Sequence, residues 1–485
     1  MLVAGVDSST QSTKVLLCQA EDGTIVGRGS APHPPGTECA PAAWWSALEQ
    51  AGRGLLDRAD AIGVAAQQHG MVVLDEAGEV IRPAMLWNDL RSAQAARELI
   101  AELGGPAWWA EQTGSVPSAS FTVTKLRWLA EHEPDHAARV AQVMLPHDWL
   151  TWRLASQGPG RSGPGGAEPA TDRGDASGTG YFSPAAGRWL PEVAAAALGH
   201  QPALPRIAKP NEVVGETAGG AVLSAGTGDN MGAALGLSLE PGELVVSIGT
   251  SGTAYAVTER AAADESGMVA GFADATGRFL PLIATVNAGL VLSAAATLTG
   301  TDLDGLSARA LTAEPGAGGI ALLPYLDGER SPNRPDATGV LRGLTTKNAT
   351  AANLARAAIE AVLGTLAEAA DLIAAQGASR ERVLLIGGGA RSEAARRLAP
   401  GIFGVPVLVP APEEYVALGA ARQAAWALAG TPEPPGWPRH LPEEYTGPAE
   451  PVVRQRLAWL RHATQDWDTA GWDTPGTATK ERTGW

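Results

Sequence analysis

The 485 residues carry 52 acidic against 36 basic side chains, a formal charge of −16, and 45% of them are hydrophobic. That length provides for two or three domains with ample buried core, and the composition is that of a globular α/β protein. The negative charge excludes nucleic acid and anionic membranes as expected partners, whereas an anionic nucleotide needs only a local nest of backbone N–H groups. Two cysteines, Cys18 and Cys39, make neither a disulfide framework nor a zinc site.

Taken in order, the chain opens with an apolar strand at 2–6, ended by Asp7-Ser8-Ser9-Thr10-Gln11-Ser12-Thr13-Lys14. No basic-then-apolar run stands here, so the expected compartment is the cytoplasm. Strands follow at 15–19 and 25–28, joined by the turn 21–24, and Cys18 reads as a small buried hydrophobe. A Ser/Thr-rich turn between paired strands groups N–H and hydroxyl donors, which suits phosphate oxygens. Asp7 at the strand end suits a magnesium ion held through water. A plain polar hairpin turn is the competing reading.

Near the middle, Ala225-Gly226-Thr227-Gly228-Asp229-Asn230-Met231 runs into a segment of small residues. Glycines let the backbone turn sharply, and Asp229 then opens a helix. A carboxylate at that place is a candidate general base, and an ordinary helix N-cap is the rival reading. The strand–turn–strand pattern then returns, with strands at 243–248 and 254–257 about Gly249-Thr250-Ser251-Gly252-Thr253. Aligning residues 6–10 on 248–252 indicates an internal duplication, so two halves each offer a phosphate-gripping turn. The uncharged run 282–299 reads as a buried helix, since its Asn, Gly, Ser and Ala content does not suit a membrane span. Further on, Leu384-Leu385-Ile386-Gly387-Gly388-Gly389-Ala390-Arg391-Ser392 is a strand–glycine–helix site for phosphate or adenosine. It is not the GxGxxG pattern, and GxxxxGK[ST] is absent from the sequence.

Two phosphate turns, a late glycine motif and a central Gly-Asp-Asn resemble the actin-like ATPase fold, and within it the FGGY carbohydrate kinases. Both signatures of that family match. The first is Ser120-x-Thr122-x-x-Lys125-Leu126-x-Trp128-Leu129-x-Glu131-His132. The second runs from Gly339-x-Leu341-x-Gly343-Leu344 to Asn353-Leu354-x-x-Ala357-Ala358-Ile359-Glu360. The resemblance covers roughly residues 1 to 430. It implies an α/β fold of two actin-like (ribonuclease H-like) domains with a nucleotide cleft between them. The expected divisions are 1–240, 241–435, and a helix with a loose tail at 436–485.

Within the family, Gln67-Gln68-His69-Gly70 and Ala84-Met85-Leu86-Trp87-Asn88-Asp89-x-Arg91 are most similar to the members that phosphorylate D-xylulose. In that comparison Gln68, His69 and Trp87 line the sugar pocket. Glycerol kinases carry Arg-Glu where Gln68-His69 stand, which disfavours glycerol. The implied reaction is transfer of the γ-phosphoryl of magnesium-bound ATP to D-xylulose, giving the 5-phosphate. Asp229 is then the general base and Asn230 holds substrate; Asp7 organises magnesium. Thr10, Lys14, Thr250, Ser251 and Gly252 surround the phosphates, and Gly388, Gly389 and Ala390 the adenosine. Closure on sugar would exclude water. The resemblance also implies a homodimer.

The rival readings are a kinase for another ketose or polyol (ribulose, another xylulose isomer, gluconate) and a sugar-independent actin-like ATPase. Glu329 and Arg330, in the loop 323–332, read as structural. Two features depart from the family: a Gly/Pro-rich excursion at 156–170 and a Pro/Trp-rich tail, both expected to be loose apart from a helix at 452–462.

Overall fold

The computed structural model describes residues 1–156, 167–439 and 442–467. The core of the Gly/Pro-rich excursion and the end of the tail lie outside the described residues. Packing divides the chain into two units. The first comprises Met1–Leu239, Glu259–Leu280 and Glu413–Arg439; the second comprises Glu240–Thr258, Pro281–Pro412 and the described residues from 442.

The strands that build the two large sheets are, leaving out one edge strand and the short pairs elsewhere, β1 (Leu2–Ser8), β2 (Ser12–Gln19), β3 (Ile25–Pro32), β4 (Ala61–Ala66), β5 (Val213–Glu216), β6 (Val222–Ser224), β7 (Thr227–Gly228), β8 (Gly242–Ile248), β9 (Gly252–Ala256), β10 (Phe279–Thr285), β11 (Arg380–Ile386), β12 (Val407–Val409) and β13 (Glu443–Tyr445). In the first unit the sheet runs β5-β6-β4-β1-β2-β3, with β7 also paired to β4. The β1–β2 and β2–β3 pairs are antiparallel, β1–β4 and β4–β6 parallel, and β5 returns antiparallel. In the second unit β13-β12-β11-β8-β9-β10 repeats that order and those directions strand for strand. The duplication expected from residues 6–10 and 248–252 is thus a duplication of whole sheets.

Strand periodicity explains how the first sheet is covered. Successive side chains face opposite ways, so Ala4, Val6, Val15 and Leu17 pack with Trp44 and Leu48 on one face. Val3, Leu16 and Cys18 pack with Ala417, Ala421 and Ala424 on the other. Each such buried Val or Leu contributes about 1.5–3 kcal/mol. Cys18 is fully buried, as expected, and burial pushes its thiol up to about 12.

The second face is covered by the helix Tyr415–Ala429, which comes back from far along the chain to rest on β1, β4 and the helix Asp229–Gly236. Glycine makes that approach possible. A Cβ on Gly5 would lie 1.8 Å from the carbonyl oxygen of Ala417, and one on Gly419 would lie 1.8 Å from that of Gly232. The two packing units therefore differ from the sequential divisions 1–240 and 241–435, because residues 413–439 spend their apolar face on the first sheet.

One helix assignment needs correcting. The uncharged run 282–299 is the end of β10 followed by the helix Gly289–Leu298, and not one buried helix. Pairing of Thr285 with Gly252 keeps the first part extended, and Gly289 starts a new element on the carbonyl of Gly249. Leu298 on this helix is 74% exposed. The helix expected at 452–462 is present as Pro451–Ala463. Glu329 is fully buried and accepts from Val286 N, Asn287 Nδ2 and Arg330 N, the setting of a structural carboxylate.

Candidate active site

Asp229 is the first residue of its helix, and the cap is Gly228, whose backbone is extended (φ −70°, ψ 158°). The Asp229 carboxylate accepts from the N–H and Nδ2 of the very next residue, Asn230, both at 2.8 Å. An N-cap side chain accepts from two or three residues on; this one does not. Burial, then the charge of Asp7, hold the Asp229 carboxyl well above the usual carboxylate range, at about 7. A carboxylate poised there is matched to accepting a proton near neutral pH.

Asp7, near the end of β1, is buried and accepts a hydrogen bond from Ser9 Oγ. Desolvation raises it to about 6, against the lowering effects of Ser9 and Lys14. The charge of Asp7 raises Asp229 and that of Glu414 raises Asp7, so a cation beside Asp7 would relieve crowded negative charge. A hard oxygen donor set of this kind fits magnesium.

Gln68 and His69 follow β4, and both are buried. The Asn230 amide donates to Gln68 Oε1 at 3.4 Å, while Gln68 Nε2 has no protein partner. His69 takes a left-handed backbone, φ 69°, uncommon for a side chain of its size. Its carbonyl accepts from Lys125 Nζ at 2.7 Å and Thr122 Oγ1 at 3.2 Å. Its Nδ1 lies 2.6 Å from the carbonyl oxygen of Gly178 and donates to it, and the ring packs on Phe121 and Phe272. These contacts hold the strained residue in one orientation. Thr122 and Lys125, both signature positions, hold the His69 carbonyl.

Trp87 Nε1 donates to Thr10 Oγ1 at 2.8 Å, and that hydroxyl donates to Gln67 Oε1 at 3.3 Å. Thr10, expected at the phosphates, is thus tied to the residues expected around the sugar. Lys14 forms a 2.6 Å ion pair with Glu414, so its charge is shared with the returning C-terminal helix.

In the second unit, Thr250 and Ser251 form the turn between β8 and β9, Thr250 exposed and Ser251 half-buried, with Gly252 buried at the start of β9. The carbonyls of Gly249 and Thr250 accept from Gly289 and Leu290 N–H. Gly388 and Gly389 follow β11 in a short helical turn, and a Cβ on Gly388 would meet nothing within 4 Å. Ala390 is buried.

Two repeated sheets with a strand-end carboxylate, a central Gly-Asp-Asn helix start and a late glycine turn define a sugar-kinase class of protein. The N-terminal domain of the FGGY family of carbohydrate kinases matches residues 2–236, and its C-terminal domain matches 244–428. The chain belongs to the FGGY family of carbohydrate kinases and is an ATP-dependent sugar kinase. It is 47% identical to the xylulose kinase of Streptomyces coelicolor, with 88% of each chain covered. It is 34% identical to that of Escherichia coli over 88% of this chain and 90% of that one. Among solved structures, the xylulose kinase of Bifidobacterium adolescentis superposes with a TM-score of 0.88 at 44% identity, covering 95% of this chain and 99% of that one.

Proposed function

We propose that this kinase transfers the γ-phosphoryl group of ATP to D-xylulose, giving D-xylulose 5-phosphate. The observation that carries the reading is the Asp229 carboxylate, raised to about 7 and linked through Asn230 to Gln68. The 47% identity to a protein named xylulose kinase supports the choice of sugar.

A sugar hydroxyl is a weak nucleophile, and the γ-phosphate repels negative charge, so the work is positioning and charge neutralisation. In this reading Asp229 accepts the hydroxyl proton as the new O–P bond forms, and Asn230, Gln68, His69 and Trp87 orient the sugar. Asp7 holds magnesium, which would neutralise phosphate charge when bound. Thr10 and Lys14 of the first unit and Thr250, Ser251 and Gly252 of the second are assigned to the phosphates. Gly388, Gly389 and Ala390 are assigned to adenosine. No helix among the described residues is long and apolar enough to cross a membrane. The proposal includes a cytoplasmic enzyme and, as the family resemblance implies, a homodimer, which light scattering would test.

The decisive assay is coupled ADP release with ATP and magnesium against D-xylulose, L-xylulose, D- and L-ribulose, D-fructose, glycerol and gluconate. A preference for D-xylulose is the expected result. Preference for another sugar overturns the pocket assignment, and turnover without sugar overturns the kinase mechanism itself.

A further inference from the structure

The segment 171–179, Thr-Asp-Arg-Gly-Asp-Ala-Ser-Gly-Thr, lies outside every site assignment made above, yet it touches both halves of the sugar-side machinery. Asp172 is 3% exposed and uses both carboxylate oxygens. Oδ1 accepts from Asp175 N at 2.9 Å; Oδ2 accepts from Gly174 N and from Thr227 Oγ1, both at 2.9 Å. Thr227 stands two residues before Asp229. Six residues beyond Asp172, the carbonyl of Gly178 receives His69 Nδ1 at 2.6 Å.

The segment is itself anchored. Asp175 Oδ2 lies 2.6 Å from Nδ1 of His147, a fully buried imidazole that has Asp148 on its other side at 3.2 Å. Desolvation lowers the His147 pKa, but the neighbouring carboxylates of Asp148, Asp175 and Asp172 outweigh it and raise it, favouring the charged imidazole. Gly226 packs on that ring: a Cβ there would fall 2.5 Å from His147 Cδ2. Gln423 Nε2 also donates to the Gly226 carbonyl at 3.0 Å. The loop leading to Asp229 therefore meets two buried polar side chains, His147 and Gln423.

We infer that Asp172 is a positioning residue of the kinase: by holding Thr227 and capping the turn that carries Gly178, it fixes Asp229 and His69 relative to one another. The inference rests on the reading of Asp229 as the general base. A hydrogen bond to an ionised carboxylate is roughly twice as strong as one between neutral groups. A base displaced by about 1 Å loses on the order of 100-fold in rate.

The test uses the full-length enzyme with ATP, magnesium and D-xylulose, and compares Thr227→Val, Thr227→Ser, Asp172→Asn, the Thr227→Val/Asp172→Asn double variant and Asp229→Asn. Valine keeps the shape of threonine and removes only the hydroxyl, and asparagine still caps helices well. The expected result for Thr227→Val is a fall in kcat of about 10- to 100-fold with the ATP KM unchanged. The low-pH limb of kcat/KM is expected to move, and Thr227→Ser to restore both rate and limb. The double variant should be no slower than Asp172→Asn alone, because both changes break one bond. Wild-type kcat and an unmoved pH limb in Thr227→Val overturn the inference, as does a loss that Thr227→Ser fails to restore. Should Thr227→Val not fold, Asp172→Asn measured against Thr227→Ser decides by the same readouts. An active Asp229→Asn overturns the base itself, whereas an inactive Asp229→Asn beside an unaffected Thr227→Val overturns Asp172 alone.

Discussion

Trp87 and Thr10, 77 residues apart, are joined by a 2.8 Å hydrogen bond from the indole N–H to the threonine hydroxyl. The hydroxyl in turn reaches Gln67, next to Gln68. One residue of the first turn is therefore locked to the sugar-side residues.

Trp87→Phe keeps an aromatic ring but removes the donor together with one ring of the indole. Losing one such bond costs about 0.5–1.5 kcal/mol, so kcat/KM for the sugar is expected to fall several-fold. Steady-state kinetics with sugar and ATP varied in turn would check it. An unchanged kcat/KM would show that the bond has no part in turnover.

With Asp229 as the proposed base, its carboxyl is expected to set the pH dependence. Only its ionised form accepts a proton, and its carboxyl is raised to about 7. Log kcat/KM is expected to climb with unit slope below about pH 7 and to level above it. Asp229→Asn should cost about 10²- to 10⁴-fold in kcat. The stability effect has the opposite sense. A carboxyl whose folded pKa lies above the ordinary 3.8 is favoured protonated, so stability declines as pH rises from there through about 7. The asparagine variant avoids that loss, and its Tm advantage over wild type should be larger at pH 8 than at pH 5.

Asp7 supplies part of that upward push. Magnesium bound there would cancel it, so added magnesium should move the acid limb to lower pH. Chelation by EDTA should abolish turnover, and restoring magnesium should recover it. Full activity in EDTA would remove Asp7 as a metal residue.

Gly388 and Gly5 make a contrasting pair. A methyl on Gly388 meets nothing in the protein, so Gly388→Ala should leave stability within about 0.5 kcal/mol. Crowding adenosine at this proposed site should raise the ATP KM while sparing that of the sugar. A methyl on Gly5 would run into Ala417 O, and Gly5→Ala should destabilise by about 1–3 kcal/mol or more. Denaturant unfolding of both variants would separate the two cases.

Much was legible in the sequence because it depends on local rules. Short apolar runs at 2–6 and 15–19 marked β1 and β2, and the recurrence of a polar turn at 249–253 marked the second sheet. Gly-Asp-Asn marked the helix start at Asp229, and the two signatures marked the family. What only the tertiary structure decided are partners distant along the chain. Lys14 meets Glu414, Gln423 meets the Gly226 carbonyl, Lys125 meets the His69 carbonyl, and Asp172 meets Thr227. Nothing local in 413–429 says that this helix covers the first sheet. That follows from glycines at 5, 63, 236 and 419, which let backbones come within contact of one another. Secondary structure and motif chemistry are set by neighbours within a few residues and can be read along the chain. The aim of each side chain is set by close packing between segments tens to hundreds of residues apart, and it exists only once the chain is folded.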